Sequence, residues 1–101
     1  MKRILTIGGS DPFAGGGIQT DLKTFEDFGL FGLSALTSIG VLDTNGRFIL
    51  ESIPSELFER QLASIDQMTT LDGIKIGLLN SSEAIMVVRD FIKANKISQS
   101  S

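Results

Sequence analysis

The sequence predicts an α/β fold in which one sheet of parallel strands is covered by helices. Short apolar runs alternate along the chain with segments of helical periodicity. A glycine-rich loop also joins the first apolar run to the first amphipathic segment, which is typical of a strand–turn–helix unit. Strands that alternate with helices are joined by right-handed crossovers, and such crossovers make the strands parallel.

The first half of the chain contains three predicted strands and one predicted helix. The strands are expected over residues 3–7, 33–39 and 48–53. The helix is expected over residues 17–28, and Gly29 ends it. A turn at residues 43–46 precedes the third strand, whose alternating pattern is typical of a half-exposed edge.

The second half predicts two helices with a strand between them, over residues 55–68, 73–76 and 81–95. Asn80 and Glu83 resemble a capping box for the last helix. Lys96 and Ile97 are interpreted as the start of a further parallel strand, and residues 98–101 as a disordered tail. Because sheets usually contain about five or six strands, we expect residues 1–97 to be the front portion of a longer domain.

The composition of this 101-residue chain argues against several classes of protein. A hydrophobic fraction of 42% and a charged fraction of 21% indicate a globular chain, and the net charge of −3 argues against a nucleic-acid partner. No apolar stretch approaches the roughly 20 residues that span a bilayer. The chain has no cysteine and no histidine, so thiol chemistry is excluded and no metal site is predicted. We expect a cytoplasmic protein that acts on a small molecule.

The loop GGSDPFAGGG at residues 8–17 is the strongest candidate site. Five glycines in ten residues allow a ligand to approach the backbone closely. The helix that follows offers unpaired N–H groups and a positive dipole end. The loop matches neither the dinucleotide-binding fingerprint nor the phosphate-loop pattern. From this local pattern alone, a ligand-binding loop and a simple tight turn both remain open.

Structural alternatives also exist for three charged residues. Asp11 can cap the turn by accepting backbone N–H groups, and Asp21 can stabilise the start of its helix through the dipole. Lys75, at the end of a strand, is either an ordinary solvated residue or a contact to a phosphate. The phenylalanines are interpreted as core or interface residues, at positions 25, 28, 31, 48, 58 and 91.

Several motifs together resemble the hydroxymethylpyrimidine kinases and the related pyridoxal kinases, vitamin kinases of the ribokinase-like superfamily. Residues 5–25 follow the family pattern Gly-Ser/Thr-Asp-Pro-Ser-Gly-Gly-Ala-Gly-Ile-Gln-Ala-Asp-Leu-Lys-Thr-Phe. Thr37, the turn at 43–46 and the segment KIGLL at 75–79 match later motifs at the proper separation. The resemblance implies a three-layer, Rossmann-like parallel sheet with flanking helices. It also implies a kinase that phosphorylates a hydroxymethyl group of an aromatic heterocycle with ATP and Mg.

The resemblance further implies the residues of a substrate site. The expected substrate contacts are Gly9, Ser10, Asp11, Gly16, Asp21, Leu42 and Leu78. Asp21 matches a position that holds a ring nitrogen or amino group, and Leu78 a position that packs near the ring. The segment Phe13, Ala14, Gly15 and Gly16 matches a lid over the site.

Departures from the family pattern bear on the lid and on the substrate. Phe13 and Ala14 stand where Ser and Gly are usual, so the lid is bulkier. Leu42 stands where the pyrimidine kinases commonly have Gln and bacterial pyridoxal kinases often have Met. We therefore favour a pyridoxine or pyridoxal kinase of vitamin B6 salvage. A hydroxymethylpyrimidine or phosphomethylpyrimidine kinase of thiamine biosynthesis, and a non-catalytic heterocycle-binding or interaction module, remain as alternatives.

By the same resemblance, residues 1–97 are the substrate side of a single domain. The ATP site, the Mg site and the catalytic residue are expected in a C-terminal half that this chain lacks. We therefore expect no catalytic residue here and no activity from the isolated chain. The full-length protein is expected to be a homodimer that binds a small heterocyclic vitamin precursor.

Overall fold

The computed structural model describes residues 1–95 and 98–100, which form alternating strands and helices around one sheet. The strands are β1 (Arg3–Ser10), β2 (Phe31–Leu42), β3 (Phe48–Ser52), β4 (Gly73–Ile76) and β5 (Ser98–Ser100). The helices are α1 (Gly17–Asp27), α2 (Ser55–Met68) and α3 (Ser82–Asn95). Every helix and strand that the sequence predicts within residues 1–95 is confirmed, and β1 and β2 are longer than expected. No helix in this described part is long and apolar enough to cross a membrane.

The sheet has the strand order β3-β2-β1-β4-β5. All neighbouring strands are parallel except β2 and β3, which are antiparallel. The expected α/β class is therefore confirmed, with the correction that the sheet is mixed at one edge. The short turn between Leu42 and Phe48 explains the difference, because a parallel pair needs a crossover of about a dozen residues or more.

Strand alternation divides the buried residues between the two faces of the sheet. Leu5, Ile7 and Ile74 belong to the apolar cluster that also contains buried residues of α2 and α3. Thr6 lies between two of these residues, so its side chain points to the opposite face. Lys75 is the register partner of Thr6 on β4 and shares that face. Polar side chains of two adjacent strands thus meet on the side of the sheet that α1 covers.

Two predictions about the end of the chain need correction. The residue that caps α3 is Ser81, whose Oγ accepts a hydrogen bond from Ala84 N at 3.1 Å. Asn80, the predicted cap, instead donates to Ser52 Oγ at 2.6 Å. The predicted disordered tail is wrong for Ser98–Ser100, which pair in parallel with β4. The reason is that the open backbone edge of β4 can pair with a strand of any sequence. The strand start predicted at residues 96–97 lies outside the described residues, and so does Ser101.

Candidate functional site

A cavity of about 460 Å³ opens at the carboxyl end of β1. Such a position is where ligands commonly bind in open α/β sheets. The loop contributes Gly8, Gly9, Ser10, Asp11 and Gly16, α1 contributes Gly17, Ile18, Thr20 and Asp21, β3 contributes Phe48 and Leu50, and the end of β4 contributes Lys75, Gly77 and Leu78. The cavity thus combines a polar floor with an apolar wall, which is the usual character of a small-molecule site.

Asp21 provides the central charged group of this cavity. Its Oδ2 accepts a hydrogen bond from Thr6 Oγ1 at 2.6 Å, and its Oδ1 lies 2.5 Å from Lys75 Nζ. The carboxylate side chain is 14% exposed and the lysine side chain 36%. Asp21 lies one turn into α1, so a role confined to the helix start does not account for its contacts. The position of the Asp21 side chain is set by its contacts with Thr6 of β1 and Lys75 of β4.

Lys75 is not the freely solvated residue that one alternative expected. Its ammonium group forms an ion pair with Asp21 inside the cavity lining. The other alternative, contact with a phosphate, stays a prediction and would require this ammonium group to be shared with Asp21. The pair arises because α1 crosses the face of the sheet on which Thr6 and Lys75 lie side by side.

The side chain of Asp11 organises the glycine-rich loop. Its Oδ1 accepts from Phe13 N at 2.9 Å and its Oδ2 from Gly15 N at 3.1 Å. The turn-capping role predicted for Asp11 is therefore confirmed, and its expected contact with substrate stays a prediction. Gln19 completes the arrangement, since its amide accepts from Asp11 N at 2.9 Å and donates to Ser10 Oγ at 2.6 Å. The loop is held in shape by side chains of its own strand–turn–helix unit.

Two glycines of the unit lie in closely packed surroundings. Gly17 has a φ of +67°, and a Cβ atom there would clash with the carbonyl oxygen of Gly9. A Cβ atom at Gly9 would lie 2.8 Å from Ser38 Oγ. At Gly16, by contrast, a Cβ atom would have no described atom within 4 Å and would point into open space. The tight-turn interpretation therefore explains Gly17, whereas close packing of β1 against Ser38 of β2 explains Gly9, and Gly16 lines the cavity.

Most of the predicted lid lies outside the cavity lining. Phe13 is 66% exposed, and its ring centroid is 6.5 Å from that of Phe48 on β3. Ala14 has a φ of +58°, a left-handed conformation that is uncommon for alanine. Of the four predicted lid residues, Gly16 is the one that lines the cavity. The segment therefore forms an outer rim that touches β3.

The structure brings six of the seven predicted substrate contacts together, and Leu42 is the exception. Leu42 is the last residue of β2, is 54% exposed, and pairs in register with Phe48. Paired residues of antiparallel strands share a face, so Leu42 lies beside Phe48, which is part of the apolar wall of the cavity. Leu78 lines the cavity as expected but is also largely exposed. Leu42 thus belongs to the rim of the site.

Sequence reasoning missed several residues that shape the site. Thr6 is a polar residue inside a buried apolar strand, and that mismatch was the available signal. Phe48 and Leu50 alternate along β3 on the cavity side. Phe48 was expected in a core or an interface; it is not a core residue, because the hairpin leaves it half exposed and turns its ring toward the cavity. In residues 1–95 and 98–100 there is no group of three or more acidic side chains that would hold a metal ion.

Comparisons with known proteins identify relatives of this chain. A family model described as phosphomethylpyrimidine kinase matches residues 11–100. The hydroxymethylpyrimidine/phosphomethylpyrimidine kinase of Haemophilus influenzae is 41% identical over 92 residues, which are 91% of this chain and 34% of that protein. The pyridoxine kinase of Bacillus subtilis is 35% identical over 99 residues, 96% of this chain and 36% of that protein.

Solved structures of pyridoxal and phosphomethylpyrimidine kinases are also similar to this chain. The pyridoxal kinase from Staphylococcus aureus in complex with AMP-PCP and pyridoxal matches with a TM-score of 0.87 and 36% identity, covering 96% of this chain and 36% of the other. The phosphomethylpyrimidine kinase from Clostridium difficile matches with a TM-score of 0.85 and 33% identity, covering 96% and 42%. These likenesses confirm the expected ribokinase-like architecture. The chain spans about a third of the length of the curated relatives above. With a family match that runs from the glycine-rich loop through β5, the chain belongs to the phosphomethylpyrimidine kinase family.

Proposed function

We propose that this chain is the substrate-binding portion of an ATP-dependent vitamin kinase. The observation that carries the proposal is a cavity in which the Asp21 carboxylate lies beside an apolar wall formed by Phe48, Leu50 and Leu78. A planar heterocycle needs both features, because its ring faces are apolar and its ring edge is polar. The kinase transfers a phosphoryl group from ATP to a hydroxymethyl group on that ring.

Pyridoxine or pyridoxal is the first candidate substrate. The relative from Bacillus subtilis is named a pyridoxine kinase, and the related structure from Staphylococcus aureus was solved with pyridoxal. Leu42 supports this choice, since an apolar side chain beside Phe48 suits a ring edge without a polar group at that point. In this proposal Gly9, Ser10 and Gly16, which line the cavity, contact the bound ring.

A hydroxymethylpyrimidine is the second candidate, and the donor–acceptor pattern of Asp21 favours it. A carboxylate only accepts hydrogen bonds, and an amino group on a pyrimidine ring supplies the donors that it needs. The family description and the relative from Haemophilus influenzae both name a pyrimidine kinase. The two candidates share the same cavity and differ in which polar edge meets Asp21.

Mg-ATP is assigned to no residue of this chain. The described residues include no group of three or more acidic side chains, and one or two carboxylates hold Mg²⁺ only together with substrate phosphates. Phosphoryl transfer depends on positioning and on neutralising the charge of the transferred group. We therefore propose that other residues of the longer protein bind ATP and Mg and provide the catalytic group. Residues 1–97 form the substrate side of the same domain.

The test is a phosphorylation and binding assay on the full-length polypeptide that carries this chain. We expect ATP-dependent phosphorylation of pyridoxal or of hydroxymethylpyrimidine. Asp21→Asn should weaken heterocycle binding ten- to a hundredfold, because a charge-assisted hydrogen bond contributes about 1.5–3 kcal/mol. Asp27→Asn is the matched control, an exposed carboxylate on the same helix.

Two outcomes would contradict the proposal. If Asp21→Asn lowers the melting temperature but leaves the heterocycle affinity unchanged, Asp21 has a structural role only. If the full-length protein binds a heterocycle but does not phosphorylate it, the chain belongs to a binding protein and not to an active kinase.

A further inference from the structure

Lys75 neutralises the carboxylate that the proposed function assigns to the heterocycle. Its Nζ lies 2.5 Å from Asp21 Oδ1, while Thr6 Oγ1 donates to Oδ2 at 2.6 Å. Each carboxylate oxygen therefore already accepts one hydrogen bond and keeps a second lone pair for a ligand. The cavity offers acceptor atoms to a ligand without offering a net negative charge at that point.

The ion pair is built into the fold. Lys75 and Thr6 are register partners on adjacent parallel strands, and both are directed at α1. The Asp21 side chain is largely buried, so solvent and salt screen its attraction to Lys75 only weakly. Asp11 is the other acidic group in the lining, and its oxygens accept N–H groups of the loop. Lys75 is therefore the positive group that compensates Asp21.

We propose that Lys75 is a specificity-determining residue that makes this site select an uncharged heterocycle over a cationic one. The proposal rests on the proposed function, because it concerns the same cavity and ring. A buried carboxylate without a counter-ion would attract a cationic ring such as a pyridinium. With Lys75 in place, its ammonium group lies 2.5 Å from Asp21 and repels a cationic ring that approaches the carboxylate. The attraction of such a ring to Asp21 is therefore largely cancelled.

The experiment compares the 3-deoxy analogue of pyridoxine, which lacks the acidic ring hydroxyl group, with the N-methylpyridinium derivative of that analogue, which carries a permanent net charge. Binding of both to the full-length protein is measured by calorimetry without ATP. The Met and Gln side chains are close to lysine in length, so the space for the added methyl group changes little and a change in the affinity ratio reports the charge. We expect Lys75→Met to shift the ratio at least tenfold toward the cationic compound.

Three further variants separate charge from structure. Lys75→Gln also removes the charge but keeps a hydrogen-bond donor, so it should shift the ratio in the same direction even if Lys75→Met does not fold. Lys75→Arg should retain the wild-type ratio. Lys23→Met, an exposed lysine of α1, is the matched control and should leave the ratio unchanged.

The possible failures point to different causes. If both compounds bind and the ratio is the same in wild type, Lys75→Met and Lys75→Gln, this inference is wrong and the proposed function stands. If both compounds lose the same factor of affinity, Lys75 is structural and the inference is again wrong. If neither compound binds to any of the proteins, this inference is overturned together with the pyridoxine candidate, and hydroxymethylpyrimidine is left as the substrate of the proposed kinase.

Discussion

Gln61 on α2 hydrogen-bonds to both backbone groups of Leu36 on β2. Its Oε1 accepts from Leu36 N at 2.8 Å, and its Nε2 donates to Leu36 O at 2.9 Å. Pairing between β2 and β3 extends only as far as Ser38, so Leu36 lies beyond the end of β3 on that side. The glutamine amide thus takes the place of a neighbouring strand and satisfies two partly buried backbone groups.

Replacing Gln61 by Leu should destabilise the fold, because it leaves both groups of Leu36 without that partner. An unsatisfied buried group costs about 1–3 kcal/mol. Gln67→Leu is the matched control, since Gln67 is exposed on the same helix. Urea unfolding of both variants measures the difference. Equal effects from the two substitutions would mean that water replaces the amide at Leu36 without penalty.

Gly17 and Gly29 differ in what surrounds them, and alanine substitution should reveal that difference. Both residues have a positive φ, +67° and +72° respectively. At Gly29 a Cβ atom would meet open space, so Gly29→Ala should cost about 1–2 kcal/mol for the backbone conformation alone. At Gly17 the Cβ atom would also clash with the carbonyl of Gly9. We therefore expect Gly17→Ala to be the more destabilising and to distort the cavity as well.

The measurement for these glycines is denaturant unfolding of each variant, followed by heterocycle binding in the full-length protein. Gly16→Ala serves as a third comparison, because its backbone is extended and the space around it is open. It should leave the free energy of unfolding nearly unchanged. If Gly17→Ala is no more harmful than Gly29→Ala, the loop relaxes easily and its glycines are not needed for packing.

Local patterns in the sequence were sufficient to predict most of the elements. The predicted bounds of α2 and β4 agree with the structure, because an apolar helical face follows Pro54 and a short apolar run follows Asp72. The prediction for β2 was too short. Gly32 near its start and Gly40 near its end interrupt the apolar pattern that defined it.

The candidate site was predictable only in part, since its contacts depend on tertiary register. Asp21 and the loop lie close together in sequence and share one motif. Lys75, in contrast, is 54 residues from Asp21, and their ion pair depends on β4 lying beside β1. Phe48 reaches the cavity because β3 folds back along β2 as an antiparallel hairpin. Neither strand arrangement follows from local periodicity.

We predict that the purified 101-residue chain does not phosphorylate pyridoxal, pyridoxine or hydroxymethylpyrimidine. The chain covers about a third of the length of its curated relatives, and we propose that the ATP site lies in the remaining part of the protein. A radiolabelled ATP transfer assay, with an Asp21→Asn chain purified in parallel, measures this. Turnover by the wild-type chain that the variant lacks would show that the catalytic apparatus lies within these residues.

Leu42 at the rim of the cavity should influence which heterocycle is preferred. It lies opposite Phe48, which lines the cavity, so a longer polar side chain there can reach the edge of a bound ring. In the full-length protein, Leu42→Gln should favour hydroxymethylpyrimidine over pyridoxal. One added hydrogen bond of about 0.5–1.5 kcal/mol predicts a change of a few-fold to tenfold in the ratio of kcat/KM values.

Leu57→Gln is the matched control for this change, because Leu57 is an exposed leucine on α2 outside the cavity lining. The kcat/KM values of both substrates are measured for wild type and for the two variants. A ratio that moves with Leu42→Gln and not with Leu57→Gln places residue 42 in contact with the ring. An unchanged ratio in both would mean that Leu42 does not contact the substrate, and the preference for pyridoxal would lose its support, since Phe48 and Leu50 suit either ring.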